Sequence, residues 1–286
     1  LNTMRPWRRR IPFTKMQDCG NDYIFIENFD GQISCPESLC VSLCQQHYGI
    51  GADGIVLIEH SRVADVRMRS FNRDGSEGKL AGNNLRCIGK YMYDRGYLRK
   101  DRISVETASG VKHLRLYSRD GLVSSVTVDM GRAILNSAEI PVLSDADRLV
   151  GRPVTVAGRD WQVTCLSVGN PHCVLFLDTI DGLKLDELGP CFEHAEIFPE
   201  RVNTEFVRVV NRTNLRMRVW ERGSGETLAC GTGATATLAA ASVCGLTGDH
   251  ARLILLGGEL QIEWDREDNL LYMTGPAEYV FEGHLL

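Results

Sequence analysis

Cys230 stands in the stretch ERGSGETLACGTGATATLAAAS, directly ahead of Gly231-Thr232-Gly233 and an Ala-rich run that reads as a helix. A helix start offers unpaired N–H groups and a positive dipole end, so it holds anions such as carboxylates. The same field favours thiolate over thiol, and glycines let the backbone approach a ligand without a Cβ in the way. The spacing therefore predicts an anion cradle beside an activated thiol. As a nucleophile such a thiol needs a partner, for which His172 in VGNPHCV is the best candidate, although a histidine satisfied within the fold is the plainer reading. As a base it removes an α-proton while helix-end donors hold the carboxylate that becomes an enediolate. The residue types by themselves leave both chemistries open.

The neighbouring carboxamides and charges suit an amino-acid ligand. Asn21, Asn72, Asn83, Asn170 and Asn203 fall in turns or at strand ends. Arg222 can clamp a carboxylate bidentately and Glu221 can hold an ammonium. The Gly-rich stretch carries no Gly-Lys-Ser/Thr ending and no ordered dinucleotide fingerprint, so no cofactor is expected. Cys40, Cys44 and His47 share a helical face, but their spacing matches no usual zinc pattern. SLCVSLCQQHYG reads instead as a half-buried helix, and no metal is expected.

The elements that position these residues occur twice. Shifting the sequence by 149 positions puts Gly20-Asn21 on Gly169-Asn170, Arg67-Met68-Arg69 on Arg216-Met217-Arg218, and Phe71 on Trp220. Glu77 then lands on Glu226, Gly82 on Gly231 and Gly96 on Gly245, without a slip in register. Such a repeat predicts two similar domains. In each half a Gly-Asn turn precedes a short apolar strand, YIFIENF or HCVLFLD, and a period-two strand, VRMRSFN or LRMRVWE, precedes a Gly-rich turn and a helix. The helices are expected near 83–94 and 233–243, with a linker near 131–150. Two equivalent helix starts facing one another across a cleft would supply two opposed acid–base groups, as inversion at one carbon requires. The repeat thus favours α-proton chemistry over acyl transfer.

Composition limits the remaining classes. The chain has 286 residues, 43% hydrophobic and 24% charged, with net charge -5. That apolar fraction excludes a disordered or collagen-like chain, and no run reaches the roughly 18 apolar residues of a bilayer span. Mild acidity argues against broad nucleic-acid binding, and Arg5, Arg8, Arg9 and Arg10 around Trp7 read as a solvated tail. Ten cysteines without a Cys-x-x-Cys pair or a secretion signal are expected as reduced thiols in the cytoplasm. Residues 1–10 are set apart as a tail, with residues 1–3 ahead of Met4 read as a cloning remnant.

FTKMQDCGNDYIFIEN, GIGADG, FNRDGSEGKLAGNNLRC, GNPHCV, PERVNTEFV, ERGSGETLACGTGA and GGELQIEW with LYMTGPA together resemble the diaminopimelate epimerase family, in order and over almost the whole chain from residue 11. The resemblance implies cofactor-independent conversion of LL- to meso-diaminopimelate, on the route to lysine and peptidoglycan, by a homodimer. It implies an α/β fold of two pseudo-symmetric domains, 11–135 and 136–286, each a strand barrel around a central helix, with strands exchanged at the boundary and at the C-terminus and the active site in the interdomain cleft. Carried over by position, Cys230 matches one catalytic thiol. Asn21, Asn72, Asn170, Asn203, Glu221 and Arg222 match substrate contacts, and His172 and Glu221 match polar neighbours of the reacting centre. Gly82-Asn83 and Gly231-Thr232 match the two carboxylate cradles, and Gly54 stands where many members have a contacting Gln.

Ala81 breaks the pattern, because the family's second catalytic Cys belongs there. A methyl group neither takes nor gives a proton, so two-base inversion is expected to fail in this chain. An engineered Cys→Ala change is the favoured account over natural divergence, since the other elements of the site are in place. Asn84 replaces a Gly and raises a second reading, a racemase of another amino acid such as histidine. A non-catalytic amino-acid-binding protein is the third.

Overall fold

A computed structural model describes residues 10–78 and 82–285, the side chains of Gly82 and Asn83 excepted. Its first half runs β1 (Ile11–Asp18), β2 (Asn21–Glu27), α1 (Pro36–Cys44), β3 (Gly54–Glu59), β4 (Val66–Asn72), α2 (Gly82–Asp94), β5 (Arg102–Thr107), β6 (Gly110–Arg119) and β7 (Leu122–Gly131). The second runs β8 (Arg152–Val156), β9 (Arg159–Ser167), β10 (Pro171–Phe176), α3 (Leu185–Glu193), β11 (Asn203–Asn211), β12 (Asn214–Glu221), β13 (Gly225–Thr227), α4 (Gly231–Val243), β14 (His250–Ile254), β15 (Glu259–Asp265), β16 (Leu270–Gly275) and β17 (Glu278–Leu285). The fold is mixed α/β and mostly strand.

The chain forms two compact units. One takes in the described residues up to Val126 together with those from Ala277 onward, and the other is Thr127–Pro276. The division falls inside β7, ahead of the 135/136 boundary placed from the sequence. The final strand lies with the first unit because β17 pairs antiparallel with β1, from Ile11↔Leu285 to Gln17↔Glu278. In the second unit β8 holds the corresponding place beside β9.

The 149-residue shift carries into the ladders. Parallel pairing of β2 with β3 sets Tyr23 opposite Gly54, and that of β10 with β11 sets His172 opposite Asn203, the same two positions after the shift. Four parallel pairs recur: β2 with β3, β4 with β5, β10 with β11 and β12 with β14. Parallel neighbours need a crossover, and α1, α2, α3 and α4 supply the four in turn.

The helices cover the sheets according to their sequences. α1 buries Cys40 and Cys44 against Ile24, Ile55, Leu57 and Phe71. α3 buries Leu185 and Phe192 against Val163, Cys173 and Phe206. Phe71 and Phe206 are each fully buried, worth roughly 2–3 kcal/mol apiece. α4 is apolar all round, as a helix enclosed on every side must be, and packs against β9, β10, β11, β14, β15 and β16. Its N-terminus is thereby fixed at the ends of β10, β11 and β12. Among the described residues, no helix is long and apolar enough to cross a membrane.

Candidate active site

Cys230 is the N-cap of α4, with extended backbone angles of φ -131 and ψ 110. Its carbonyl accepts the first helical N–H, from Ala234 at 2.9 Å, and its Sγ accepts the Gly233 N–H at 3.3 Å. The Thr232 hydroxyl lies 3.4 Å from the same sulfur and accepts from the Asn170 carboxamide at 3.3 Å. Cys230, Gly231, Thr232 and Asn170 therefore come together at the positive end of a 13-residue helix, where N–H groups lack partners within the helix.

The charge balance at this thiol differs from the sequence-based expectation. Burial pushes Cys230 well above the ordinary thiol range, and the negative charges of Glu221 and Glu205 push it further. Hydrogen bonds to Thr232 and Gly233 act the other way and are outweighed. The resting form is thus the neutral thiol, because the helix-end field acts on a sulfur that is only 5% exposed and beside two carboxylates. Glu221, at the end of β12, is raised by burial, against hydrogen bonds from Thr227 and Cys230 that lower it. Thr227 also donates to Glu221 Oε1.

His172 does not contact the thiol through a hydrogen bond. Its Nδ1 lies 2.6 Å from Glu205 Oε1 and its Nε2 lies 2.9 Å from Asn170 Oδ1, with no exposure of the ring. Asn203, on the same sheet face, donates to the Pro171 carbonyl and accepts the Arg222 N–H, each at 2.9 Å. Arg222 itself is exposed, with Nη1 on the Glu200 carbonyl at 2.9 Å. The turn that carries it is fastened by Glu193, which accepts the Trp220 indole N–H at 2.8 Å and the Gly223 N–H at 2.9 Å.

The remaining residues belong to the first unit. Asn21 opens β2, half-buried, with its Oδ1 buried and unpartnered among the described residues. Asn72 closes β4, exposed, and donates to the Ser76 hydroxyl at 3.0 Å. Gly82 and Asn83 begin α2, as Gly231 and Thr232 begin α4. Ala81 lies outside the described residues. Gly54 can carry no side chain: a Cβ there would meet the Phe71 carbonyl oxygen at 2.1 Å and the Tyr23 ring at 2.5 Å. Asn84 is buried, and its carboxamide donates to the Ser70 hydroxyl at 2.9 Å.

Cys40 and Cys44 have their sulfurs 3.7 Å apart in the core, and Cys40 also bonds the Asn72 carbonyl at 2.9 Å. His47 is exposed, and no group of three or more potential metal ligands occurs among the described residues. Sequence reasoning missed Glu205, Thr227 and Glu193. A glutamate inside the apolar strand NTEFVRVV was the available signal, since a buried carboxylate demands a partner. Nothing local marked the other two.

The diaminopimelate epimerase family model matches residues 13–136 and 164–280. This chain belongs to the diaminopimelate epimerase family. Among its relatives, the diaminopimelate epimerase of Acetivibrio thermocellus is 49% identical over 273 residues, covering 96% of this chain and 98% of the relative. That of Desulfovibrio desulfuricans is 51% identical over 279 residues, covering 96% and 97%. Solved structures show the same fold at low identity. A hydroxyproline epimerase from Agrobacterium vitis, with bound trans-4-hydroxy-L-proline, matches at TM-score 0.69 and 16% identity over 98% of this chain and 94% of that one. A PhzF-family protein from Bacillus anthracis matches at TM-score 0.67 and 15% identity over 97% and 99%. Within the family frame, the two matched stretches correspond to the two repeats.

Proposed function

We propose that this scaffold inverts one α-carbon of diaminopimelate, LL to meso, without a cofactor, and that Cys230 is one of its two acid–base positions. The observation that carries the reading is the Cys230 thiol at the α4 N-cap, bonded to Gly233 and Thr232 and close enough to Glu221 to feel its charge. The substrate α-carboxylate accepts from the N–H groups of Gly231 and Thr232, which offset the charge that builds as the α-proton leaves. Cys230, resting as a neutral thiol, is the group that delivers a proton to the planar carbanion, and Glu221 takes part in resetting it. Asn170, Asn203, Glu221, Arg222, Asn21, Asn72 and Gly82-Asn83 hold the two amino-acid ends.

The other acid–base position is 81, which the 149-residue shift sets against Cys230. With Ala81 no group removes the proton on that side, and the chain as it stands does not invert its substrate. The reading places the protein in the cytoplasm, where ten free thiols stay reduced, and makes it a homodimer, which sedimentation would test. Asn84 prompted the idea of a different amino-acid substrate, and its burial against Ser70 weakens that idea.

The test is α-proton exchange in D2O on LL- and meso-diaminopimelate, with the chain as it stands and with Ala81→Cys. Exchange with inversion only in Ala81→Cys supports the reading. Binding of diaminopimelate without exchange in either protein overturns it in favour of a binding protein.

A further inference from the structure

Glu205 is the most deeply buried charged group near Cys230, and the mechanism above gives it no task. It projects from β11 on the same face as Asn203, two residues away, and reaches His172 on β10 at 2.6 Å with neither side chain exposed. Its second oxygen, Oε2, is buried and unpartnered among the described residues. Room for the carboxylate comes from Gly233: a Cβ there would lie 2.7 Å from Glu205 Oε1 and 3.3 Å from the Cys230 sulfur. The first turn of α4 thus closes over the carboxylate, with its positive end toward the charge.

The hydrogen bonds beyond His172 restrict its protonation. Asn170 directs its Nδ2 at Thr232 and its Oδ1 at His172 Nε2, so Nε2 must donate. A second proton then sits between Nδ1 and Glu205, on one or the other. The groups facing this pair are Glu221 from β12, Cys230 from α4 and Cys173 from β10. None of the three is a cation, so among the described residues of this cluster an ionised Glu205 is compensated by His172 alone.

We propose that Glu205 is a positioning residue whose carboxylate keeps His172 doubly protonated, so that the imidazolium locks the Asn170 carboxamide onto Thr232 beside Cys230. Its kinetic consequences rest on the epimerase reading above, and its effect on His172 does not. Removing the charge lets the ring fall back to a single proton, which it can then carry on Nδ1. Nε2 becomes an acceptor, the Asn170 carboxamide can turn over, and Thr232 and the α4 N-terminus lose their hold.

The experiment is 15N NMR of the His172 ring in the full chain, without substrate, for the parent, Glu205→Gln and Glu205→Asp. Both ring nitrogens protonated in the parent, with one proton lost in Glu205→Gln and regained at least in part in Glu205→Asp, is the expected result. A neutral His172 ring in the parent at neutral pH overturns the proposal, even if Glu205→Gln does not fold. In the Ala81→Cys background, Glu205→Gln should lower kcat/KM by about 100-fold and move the alkaline limb of the pH profile to lower pH. An unmoved limb with only a lowered Tm would mean a purely structural role and would also overturn it. Absence of turnover in Ala81→Cys, with the ring behaving as stated, would instead sink the substrate reading and leave the role of Glu205 standing.

Discussion

Arg218 grips Glu226 with two parallel hydrogen bonds, Nε to Oε1 at 2.8 Å and Nη2 to Oε2 at 3.0 Å. The equivalent pair after the 149-residue shift, Arg69 and Glu77, makes the same two bonds at 2.8 and 2.9 Å. Each pair joins a period-two strand to the turn that leads into the central helix. In the second unit that strand ends at Glu221 and the turn begins with Arg222, so the fork holds the strand end on which the candidate site depends.

Arg218 also donates Nη1 to the Ile180 and Leu183 carbonyls, each at 2.9 Å. Arg218→Ala strands a carboxylate and two carbonyls and should cost about 2–3 kcal/mol in urea unfolding, whereas Glu226→Gln should cost about 1 kcal/mol. An Arg218→Ala midpoint indistinguishable from the parent would refute this account of the turn.

Gly233→Ala tests the close approach over Glu205. Helix propensity alone favours Ala over Gly by about 1 kcal/mol, so a stabilised variant is what open space would give. The 2.7 Å approach to Glu205 Oε1 predicts the opposite, a loss of about 1–3 kcal/mol. In a double-mutant cycle with Glu205→Ala the penalty should largely vanish, because the colliding carboxylate is gone.

Asn84→Gly separates fold from specificity. The change removes a buried hydrogen bond to Ser70 and puts a glycine in α2, for an expected loss of about 1–2 kcal/mol. In the Ala81→Cys background it should leave the preference for diaminopimelate over histidine unaltered. A switch in preference would show that Asn84 bears on substrate choice.

Glu193 predicts an acid-sensitive turn. Burial works to raise its carboxyl, but hydrogen bonds from Trp220 and Gly223, with His194 and Arg201 nearby, outweigh burial and hold it below the ordinary glutamate range. Between the folded and unfolded values the unfolded chain binds more protons, so this contribution is present above the ordinary range and is lost as pH falls through the folded value. Glu193→Gln should therefore lower stability at neutral pH by about 1–3 kcal/mol and flatten the acid limb of a Tm-against-pH curve. An acid limb of unchanged steepness would show that the charge is not what fastens the turn.

Much of the fold was legible without coordinates. Periodic strands, Gly-rich turns and the unbroken shift from Gly20-Asn21 to Gly245 located both repeats, and α2 and α4 begin at Gly82 and Gly231, positions related by that shift. Strand exchange at the chain end was harder to place, because β17 joins β1 across almost the whole length of the sequence. Within the site, Cys230 was visible because an N-cap before Gly-Thr-Gly is a local feature. Glu205 was passed over because its partner His172 lies on another strand.

The sequence by itself determined the identities of the groups and their order along each strand and helix, since side-chain alternation and helix starts are set by neighbours a few residues apart. Only the tertiary structure decided their charge states and partners. His172 is taken by Glu205 and Asn170 rather than by the thiol, and Cys230 rests protonated rather than ionised. Proton affinity follows burial and the charges packed nearby, and those come from segments far apart in the chain.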